Sequence, residues 1–155
     1  MRRSTRKEQD PDLGILAVQL SARVQREIFA RAAEQGFQDV RPRHGAVLAY
    51  LDAEGTRPGE LARLAGRNKQ TMGAILDELE RLGYVRRAPD PADRRAKLIM
   101  PTERGLRFME ISDSLVAVIE QNLSDTLGPD GYRGFMAALR RGVASLPAAG
   151  RDTEG

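Results

Sequence analysis

The strongest constraint on the fold of this chain is one short segment, residues 83–101, which reads GYVRRAPDPADRRAKLIMP. Apolar runs at 84–85 and 98–100 enclose a stretch rich in proline and aspartate, a pattern that predicts a two-stranded β-hairpin. The predicted turn contains Pro89, Asp90, Pro91 and Asp93. The same turn carries the cations Arg94, Arg95 and Lys97. The sequence therefore predicts one basic hairpin in a chain whose other segments have helical periodicity.

A pair of predicted helices directly precedes this hairpin. The first helix starts near Pro58 and breaks at Gly66, and Asn68 is a favourable N-cap for the second. The second helix has an apolar stripe made of Met72, Ile75, Leu76, Leu79 and Leu82. Two short helices joined through a glycine predict a helix-turn-helix. With the basic hairpin beside it, the segment is predicted to be a winged helix, an architecture that mostly binds DNA.

The second helix of this pair begins with the residues that we expect to face DNA: Arg67, Asn68, Lys69, Gln70, Thr71, Gly73 and Ala74. The N-terminal turn of a recognition helix is where base edges are reached, and its backbone N–H groups also favour phosphate. Gln70 can pair with adenine, Lys69 can meet guanine or phosphate, and Arg67 is placed for a phosphate. Alternatively, the helix pair is simply amphipathic, and the polar face and the hairpin cations are solvated.

Long helices are predicted on both sides of the winged segment. One runs from near Asp12 to near Gly36, and another starts around Pro42. Thr102 can cap a helix of about seven turns, roughly 39 Å long, and a last helix follows the break at 128–129. Because so long a helix cannot bury its whole apolar stripe on a small winged domain, it requires a partner helix or a partner chain.

The apolar stripes of these flanking helices supply the residues that we expect in a dimer interface: Leu13, Leu123, Leu127, Phe135, Leu139 and Val143. The same side chains could instead close a bundle within one chain. The predicted organisation is a disordered N-terminal arm (1–11), dimerisation helices (12–36 and 102–146), a winged helix-turn-helix domain (37–101) and a disordered tail (147–155).

The amino-acid composition excludes several classes of site. The chain has no cysteine and a single histidine, His44, which rules out disulfides, thiol nucleophiles and metal sites that need cysteine or two imidazoles. No glycine-rich phosphate loop or cluster of carboxylates completes a catalytic set, so we expect no enzyme, no metal and no cofactor. No apolar run approaches the roughly 18 residues that span a bilayer, and the charged N-terminus does not read as a secretory signal. We expect a cytoplasmic protein without a membrane partner.

Residues 40–105 resemble the multiple-antibiotic-resistance-regulator (MarR) family of winged-helix transcription factors. DPADRR, followed by an apolar strand, Thr102 and Gly105, is similar to that family's wing signature. RNKQTMGAILDELERLGYVRR is similar to its recognition helix and first wing strand. The long flanking helices fit the family layout, so the resemblance covers nearly the whole chain. It implies a mainly α fold with a small β-wing and long N- and C-terminal dimerisation helices.

The resemblance also implies roles for single residues. Positions that face the groove are matched by Asn68, Lys69, Gln70, Thr71 and Ala74. Arg95 matches the wing-tip arginine that enters the minor groove, and Asp93 matches the acid that shapes the wing or orients that arginine. Arg94 and Lys97 match flanking phosphate contacts.

Two positions depart from the family pattern. Pro101 stands where the family usually has leucine, and because proline lacks an N–H we expect the second wing strand to end by Met100. Arg57, rather than serine or threonine, precedes Pro58, which predicts a weak helix cap. Neither change removes a DNA-contacting group.

MarR-type proteins are homodimers, and many release DNA when a small aromatic or phenolic ligand lodges between the dimerisation helices and the winged domain. Here the resemblance implies a pocket lined by His44, Val47, Leu48, Leu16 and Leu20. His44 could pair with a phenolate or carboxylate, or sense pH. Alternatively, it is a structural histidine whose hydrogen bonds are satisfied.

The predicted function is therefore a homodimeric, sequence-specific transcriptional regulator, a repressor that a small ligand releases from DNA. Its partners would be a second copy of the chain, an effector and a pseudo-palindromic duplex with half-sites roughly 34–36 Å apart. The alternative is a winged-helix protein that makes protein–protein or architectural DNA contacts without a ligand response.

Overall fold

A computed structural model describes residues 2–147 of the chain. Along these residues the elements are α1 (Arg3–Gln9), α2 (Leu13–Glu34), α3 (Pro42–Tyr50), α4 (Pro58–Ala65), α5 (Lys69–Arg81), β1 (Val85–Asp90), β2 (Asp93–Pro101), α6 (Glu103–Leu127) and α7 (Pro129–Ser145). β1 and β2 form an antiparallel two-stranded sheet. The predicted fold class, mainly α with a small β-wing, is confirmed.

Helices α4 and α5 form the predicted helix-turn-helix. Gly66 ends α4 in the left-handed conformation, with φ of 62°, which glycine adopts at little cost. Asn68 caps α5, because its side-chain oxygen accepts a hydrogen bond of 2.7 Å from the Thr71 N–H. The apolar stripe of α5 is buried at Met72, Ile75, Leu76 and Leu79. This stripe fixes α5 to the core and turns its other face outward.

The wing is longer than the sequence pattern indicated. Its strands pair as far as Asp90 and Asp93 at the tip, which leaves a turn of two residues, Pro91 and Ala92. The three cations assigned to the turn therefore lie on β2. Along a strand, successive side chains point to opposite faces. The position of each cation along β2 therefore determines the face of the wing on which its side chain lies.

The base of the wing is tied to the loop before α4. Thr56 and Ile99 form an isolated bridge in which the N–H of each donates to the carbonyl of the other, at 3.0 and 2.9 Å. β2 continues through Pro101, so the prediction that it ends by Met100 is wrong. Both strands of this sheet are edge strands, and an edge position tolerates the missing proline N–H.

An aromatic cluster joins the wing to α2 and α6. Its ring centroids lie between 5.6 and 6.4 Å apart, in Phe29, Phe37, Tyr84 and Phe108. Thr102 caps α6 by accepting from the Gly105 N–H at 3.1 Å, and its hydroxyl donates to the Gly83 carbonyl at 2.6 Å. A Cβ atom at Gly105 would lie 2.1 Å from the Tyr84 carbonyl oxygen. The Thr-x-x-Gly motif therefore lets α6 start directly against the wing.

The flanking helices pack on one another and still leave apolar surface open. α2 packs on α6, and α6 on α7, but α7 contains no buried residue. Of the residues expected in a dimer interface, Leu123 is half-buried, and the exposed fraction is between 36% and 75% at Leu13, Leu127, Phe135, Leu139 and Val143. These side chains do not close a core within one chain.

The N-terminal arm was expected to be disordered, but part of it is helical. Residues Arg3–Gln9 form α1, because the segment is rich in arginine, lysine, glutamate and glutamine, which favour helices. Lys7 of this helix pairs with Asp12, the N-cap of α2. The predicted tail, 147–155, lies outside the described residues except for Pro147. Over residues 2–147, no helix combines the length and the apolar character needed to cross a membrane.

Candidate nucleic-acid interface

The residues in α5 and directly before it that were predicted to face DNA form an open surface at the N-terminal end of this helix. Gly73 is half-buried, and the exposed members are Arg67, Asn68, Lys69, Gln70, Thr71 and Ala74. A Cβ atom added at Gly73 would meet no atom within 4 Å. The surface thus presents small and polar groups, without a bulky side chain in front of it.

Backbone donors add to the positive character of this surface. Asn68 takes up the N–H of Thr71, while the N–H groups of Lys69 and Gln70, in the first turn, have no acceptor inside the helix. The helix dipole places further partial positive charge at this end. Together with the side-chain charges of Arg67 and Lys69, these donors make the N-terminus of α5 suitable for a phosphate or a base edge.

The tip of the wing is held by a buried carboxylate, Asp90, whose side chain is 7% exposed. It accepts hydrogen bonds from the Ala92 N–H at 2.9 Å and from Arg57 Nε at 2.7 Å. The Ala92 N–H, and then the Arg57 guanidinium, lower the pKa of Asp90. Arg57 makes no capping hydrogen bond to α4 and instead ties the start of that helix to the wing. The two residues lie far apart in the chain, and no sequence pattern indicates their pairing.

The cations of the wing do not share one face. Asp93 accepts from the Arg95 N–H at 3.0 Å, a local turn that aspartate side chains favour. Arg94, Arg95 and Lys97 are all exposed. Because side chains alternate along β2, Arg95 and Lys97 lie on one face of the strand and Arg94 lies on the other.

Two groups of ion pairs hold α5 in place. On the wing side, Arg87 of β1 donates to Asp77 and to Glu80, both at 2.7 Å. On the α3 side, Glu78 accepts from Arg43 Nε at 2.8 Å and lies 3.0 Å from His44 Nε2. Arg43, and then His44, lower the pKa of Glu78 to about 2. Neither group was predicted, since each joins residues from different elements.

The predicted ligand pocket is not formed as expected. His44, Val47 and Leu48 are buried, because α3 packs on α4, α5 and α6 and turns these side chains into the core. Leu16 and Leu20 remain on the exposed side of α2. The prediction that the five residues line one cleft is therefore corrected, and His44 is a core residue.

An open groove lies between α2 and α6 instead, with a volume of about 340 Å³. Its apolar lining comes from Leu20, Val24, Ile119 and Leu123, and its polar lining from Arg23, Glu27, Asn122 and Thr126. Leu20 is the one residue that this groove shares with the predicted pocket. Within residues 2–147, no cluster of three or more histidine, cysteine or acidic side chains is arranged to hold a metal ion.

Comparison with known proteins bears directly on this surface. A profile of the MarR family matches residues 38–96, from just before α3 into β2. The transcriptional regulator HosA of Escherichia coli O111:H- is 25% identical over 101 residues, which are 65% of this chain and 75% of HosA. The transcriptional repressor CouR, in a structure bound to a 23-mer DNA duplex, is 29% identical with a TM-score of 0.68, over 86% of this chain and 94% of CouR.

The winged segment, residues 38–96, matches the MarR family. The chain is accordingly a winged-helix transcriptional regulator similar to the DNA-binding regulators of that family. A second structure, of CouR from Rhodococcus jostii bound to p-coumaroyl-CoA, is 28% identical with a TM-score of 0.67, over 88% of this chain and 94% of CouR. The MarR-family match includes both α5 and most of the wing, the two elements that carry the predicted DNA contacts.

Proposed function

We propose that this MarR-family protein is a homodimeric, sequence-specific transcriptional repressor. Two copies of α5 enter successive major grooves of a pseudo-palindromic duplex, and the two wings reach the flanking minor grooves. The observation that carries the proposal is the surface of α5, where polar and cationic groups stand at an open N-terminal end in front of a buried apolar stripe. The structure of CouR on a DNA duplex supports it.

Within this interface the side chains have different tasks. Gln70 reads a base edge, since its amide can donate to and accept from adenine. Lys69 and Arg67 meet guanine or phosphate beside it. On the wing, Arg95 enters the minor groove, where a narrow groove concentrates negative potential, and Asp93 holds the backbone of that arginine in place. Arg94 and Lys97 meet phosphates on either side of the strand.

The homodimer covers the apolar surface that one chain leaves open. A groove of about 480 Å³ between the start of α2 and α7 has an almost wholly apolar lining that includes Leu13, Phe135, Leu139, Val143 and Leu146. Apolar area removed from water contributes roughly 25 cal/mol per Å². A two-fold partner that inserts the same helices into this groove buries both copies of the surface at once.

A small aromatic or phenolic effector is the proposed release signal, and the groove between α2 and α6 is its proposed site. The apolar lining suits a ring, and Arg23 suits a carboxylate or phosphate attached to it. The structure of CouR with p-coumaroyl-CoA supports an effector of this class. A thermal-shift screen of phenolic acids and their thioesters tests it, and Arg23→Ala should abolish the shift by an acidic ligand.

The proposal is tested by titrating a labelled duplex from the promoter of the protein's own gene against the full chain, with excess random DNA. We expect specific binding by two chains per duplex and a steep loss of affinity as salt rises. A winged helix used for architectural contacts would bind both DNAs equally, and one used for protein contacts would bind neither. Either result would contradict sequence-specific repression.

A further inference from the structure

The single histidine of the chain lies completely buried beside the recognition helix. His44, with an exposed fraction of 0%, is the third residue of α3, and its Nδ1 accepts a hydrogen bond of 2.9 Å from the Arg41 backbone N–H. An imidazole nitrogen that accepts cannot also carry the proton. The neutral ring therefore carries its hydrogen on Nε2, on the side that faces α5.

The Nε2 atom is left incompletely bonded in the free protein. It lies 3.0 Å from a carboxylate oxygen of Glu78 on α5, but its N–H is not aligned well enough to form a hydrogen bond. Within residues 2–147 it is the one buried side-chain polar atom without a hydrogen-bond partner. An unpaired buried donor is costly, so a rotation of α5 that aligns Glu78 with this N–H gains a hydrogen bond that the free protein lacks.

We propose that His44 is a positioning residue for DNA binding, which orients the recognition helix through Glu78 and completes its hydrogen bond when α5 seats in the major groove. The inference rests on the proposed function, because it concerns how α5 is presented to the operator. His44 touches no DNA itself, since it is buried behind the helix.

The position of Glu78 on α5 couples its contact with His44 to the residues that face the DNA groove. Glu78 lies one and two turns after Ala74 and Thr71, at the border between the buried stripe and the outward face. Arg43 binds the same carboxylate and is itself exposed, and Arg81 Nη2 approaches it at 4.0 Å. A small rotation of α5 that brings Glu78 toward His44 also turns the groove-facing residues of its first turns. The His44 imidazole thus limits the rotation of α5 on its buried side, while Arg43 and Arg81 hold the Glu78 carboxylate on its exposed side.

The direction in which DNA affinity changes when Glu78 is replaced distinguishes a positioning role of this residue from a purely electrostatic one. Removal of a carboxylate next to DNA normally strengthens binding, because repulsion with phosphate decreases. On our proposal Glu78→Ala instead weakens binding to a duplex selected by the wild-type chain, by roughly tenfold. The matched control is Glu60→Ala, which also removes a carboxylate paired with an arginine, but within α4 alone, and should leave affinity unchanged or tighter. Stronger binding by both variants would overturn the proposal.

His44→Gln tests the other end of the contact without changing charge. Glutamine at the third helical position can still accept the N-cap N–H, so α3 remains capped, while the rigid reach to Glu78 is lost. We expect affinity to fall as for Glu78→Ala, and the double variant to be no weaker than either single variant. If the two losses simply add, the residues do not act through each other and the proposal fails. If His44→Gln unfolds the chain, Glu78→Gln, which keeps an acceptor oxygen, should still restore part of the affinity that Glu78→Ala loses.

The NMR signal of the His44 imidazole distinguishes the proposed role from a purely structural one, because a purely structural role would leave this signal unchanged on DNA binding. Because the chain has one histidine, the tag-free protein gives a single set of imidazole ¹⁵N and ¹H resonances. We expect the Nε2–H tautomer in the free protein, and a downfield shift with slower exchange of that proton in the complex. The Nδ1–H tautomer, or an unchanged Nε2–H signal on DNA, would overturn the proposal. Failure of the wild-type chain to select any sequence would instead contradict the proposed function.

Discussion

Helices α5 and α7 are both amphipathic, but they use their apolar stripes differently. α5 buries its stripe against the core of its own chain, whereas no residue of α7 is buried. Along α7 the exposed fractions of Phe135, Leu139 and Val143 are 36%, 38% and 64%. An apolar stripe in a sequence therefore shows where apolar contact is needed, but not whether the same chain supplies it. In our account the winged domain is complete in one chain, and the outer helices are completed by a second.

The largest effect should come from truncating the buried stripe. Leu76 is 1% exposed, so Leu76→Ala should lower the free energy of unfolding by about 2–5 kcal/mol, because a cavity is left in the core. Urea denaturation followed by circular dichroism measures this loss. The control is Val143→Ala in α7, which should cost under about 0.5 kcal/mol where the chain is monomeric. Equal losses for the two variants would remove the distinction between the helices.

The next effect should appear in assembly rather than in folding of the winged domain. Leu139→Asp places a carboxylate in the apolar groove of α7, and the few central residues that dominate an interface cost about 2 kcal/mol or more when they are replaced. We expect the dimer to dissociate at concentrations where the wild-type chain is dimeric, as measured by sedimentation velocity over a dilution series. Arg141→Asp introduces the same group on the same helix and should leave the dimer intact. A dimer unaffected by Leu139→Asp would place the interface elsewhere.

Local patterns were enough to predict most of the fold. The α5 stripe, the Asn68 cap and the proline-rich turn each depend on residues close together in the chain, so their chemistry is visible in the sequence. α1 was missed because a short polar segment has no apolar face to reveal it. The length of β2 was misjudged at both ends, because its first, polar residues were assigned to the turn and because Pro101 was treated as a strand breaker, although an edge strand tolerates it.

The exposed residues of the candidate site were predicted from the sequence, whereas the contacts that hold them in place were not, all for the same reason. The open surface of α5 and the cations of the wing follow from residue type and spacing. The contacts that hold them do not: Arg57 reaches Asp90, Arg87 reaches Asp77, and Glu78 meets residues of α3. His44 was assigned to a ligand cleft because periodicity cannot tell which neighbour a helix face packs against. These pairings depend on tertiary packing, which a single sequence does not encode in any local pattern.

A smaller effect is expected for the wing. Arg95→Ala should weaken operator binding roughly tenfold, because a charged donor to the minor groove is lost, while the melting temperature stays unchanged for so exposed a side chain. Fluorescence anisotropy and thermal unfolding measure the two quantities. Arg107→Ala, which removes an exposed cation paired within α6, is the control and should leave affinity unchanged. If Arg95→Ala lowered the melting temperature and left the affinity for the operator unchanged, Arg95 would be a structural residue.

The smallest effect concerns stability in acid. The pKa of Glu78 is lowered from 4.5 to about 2 in the folded chain, so its ion pairs stabilise the fold above the ordinary pKa and lose this contribution as pH falls toward 2. Glu78→Gln should therefore lower the melting temperature most above about pH 5, and the difference from the wild type should vanish toward about pH 2. A difference that stays constant across this range would show that the charge of Glu78 does not stabilise the fold.

The central claim is that each chain completes one DNA-reading domain and that two chains pair through their outer helices. Selection of binding sites from random duplexes by the full chain tests this most directly. Our account predicts an inverted repeat whose half-sites lie about 10–10.5 base pairs apart, centre to centre, bound by two chains. Enrichment of a single half-site bound by one chain, or of no sequence at all, would contradict it.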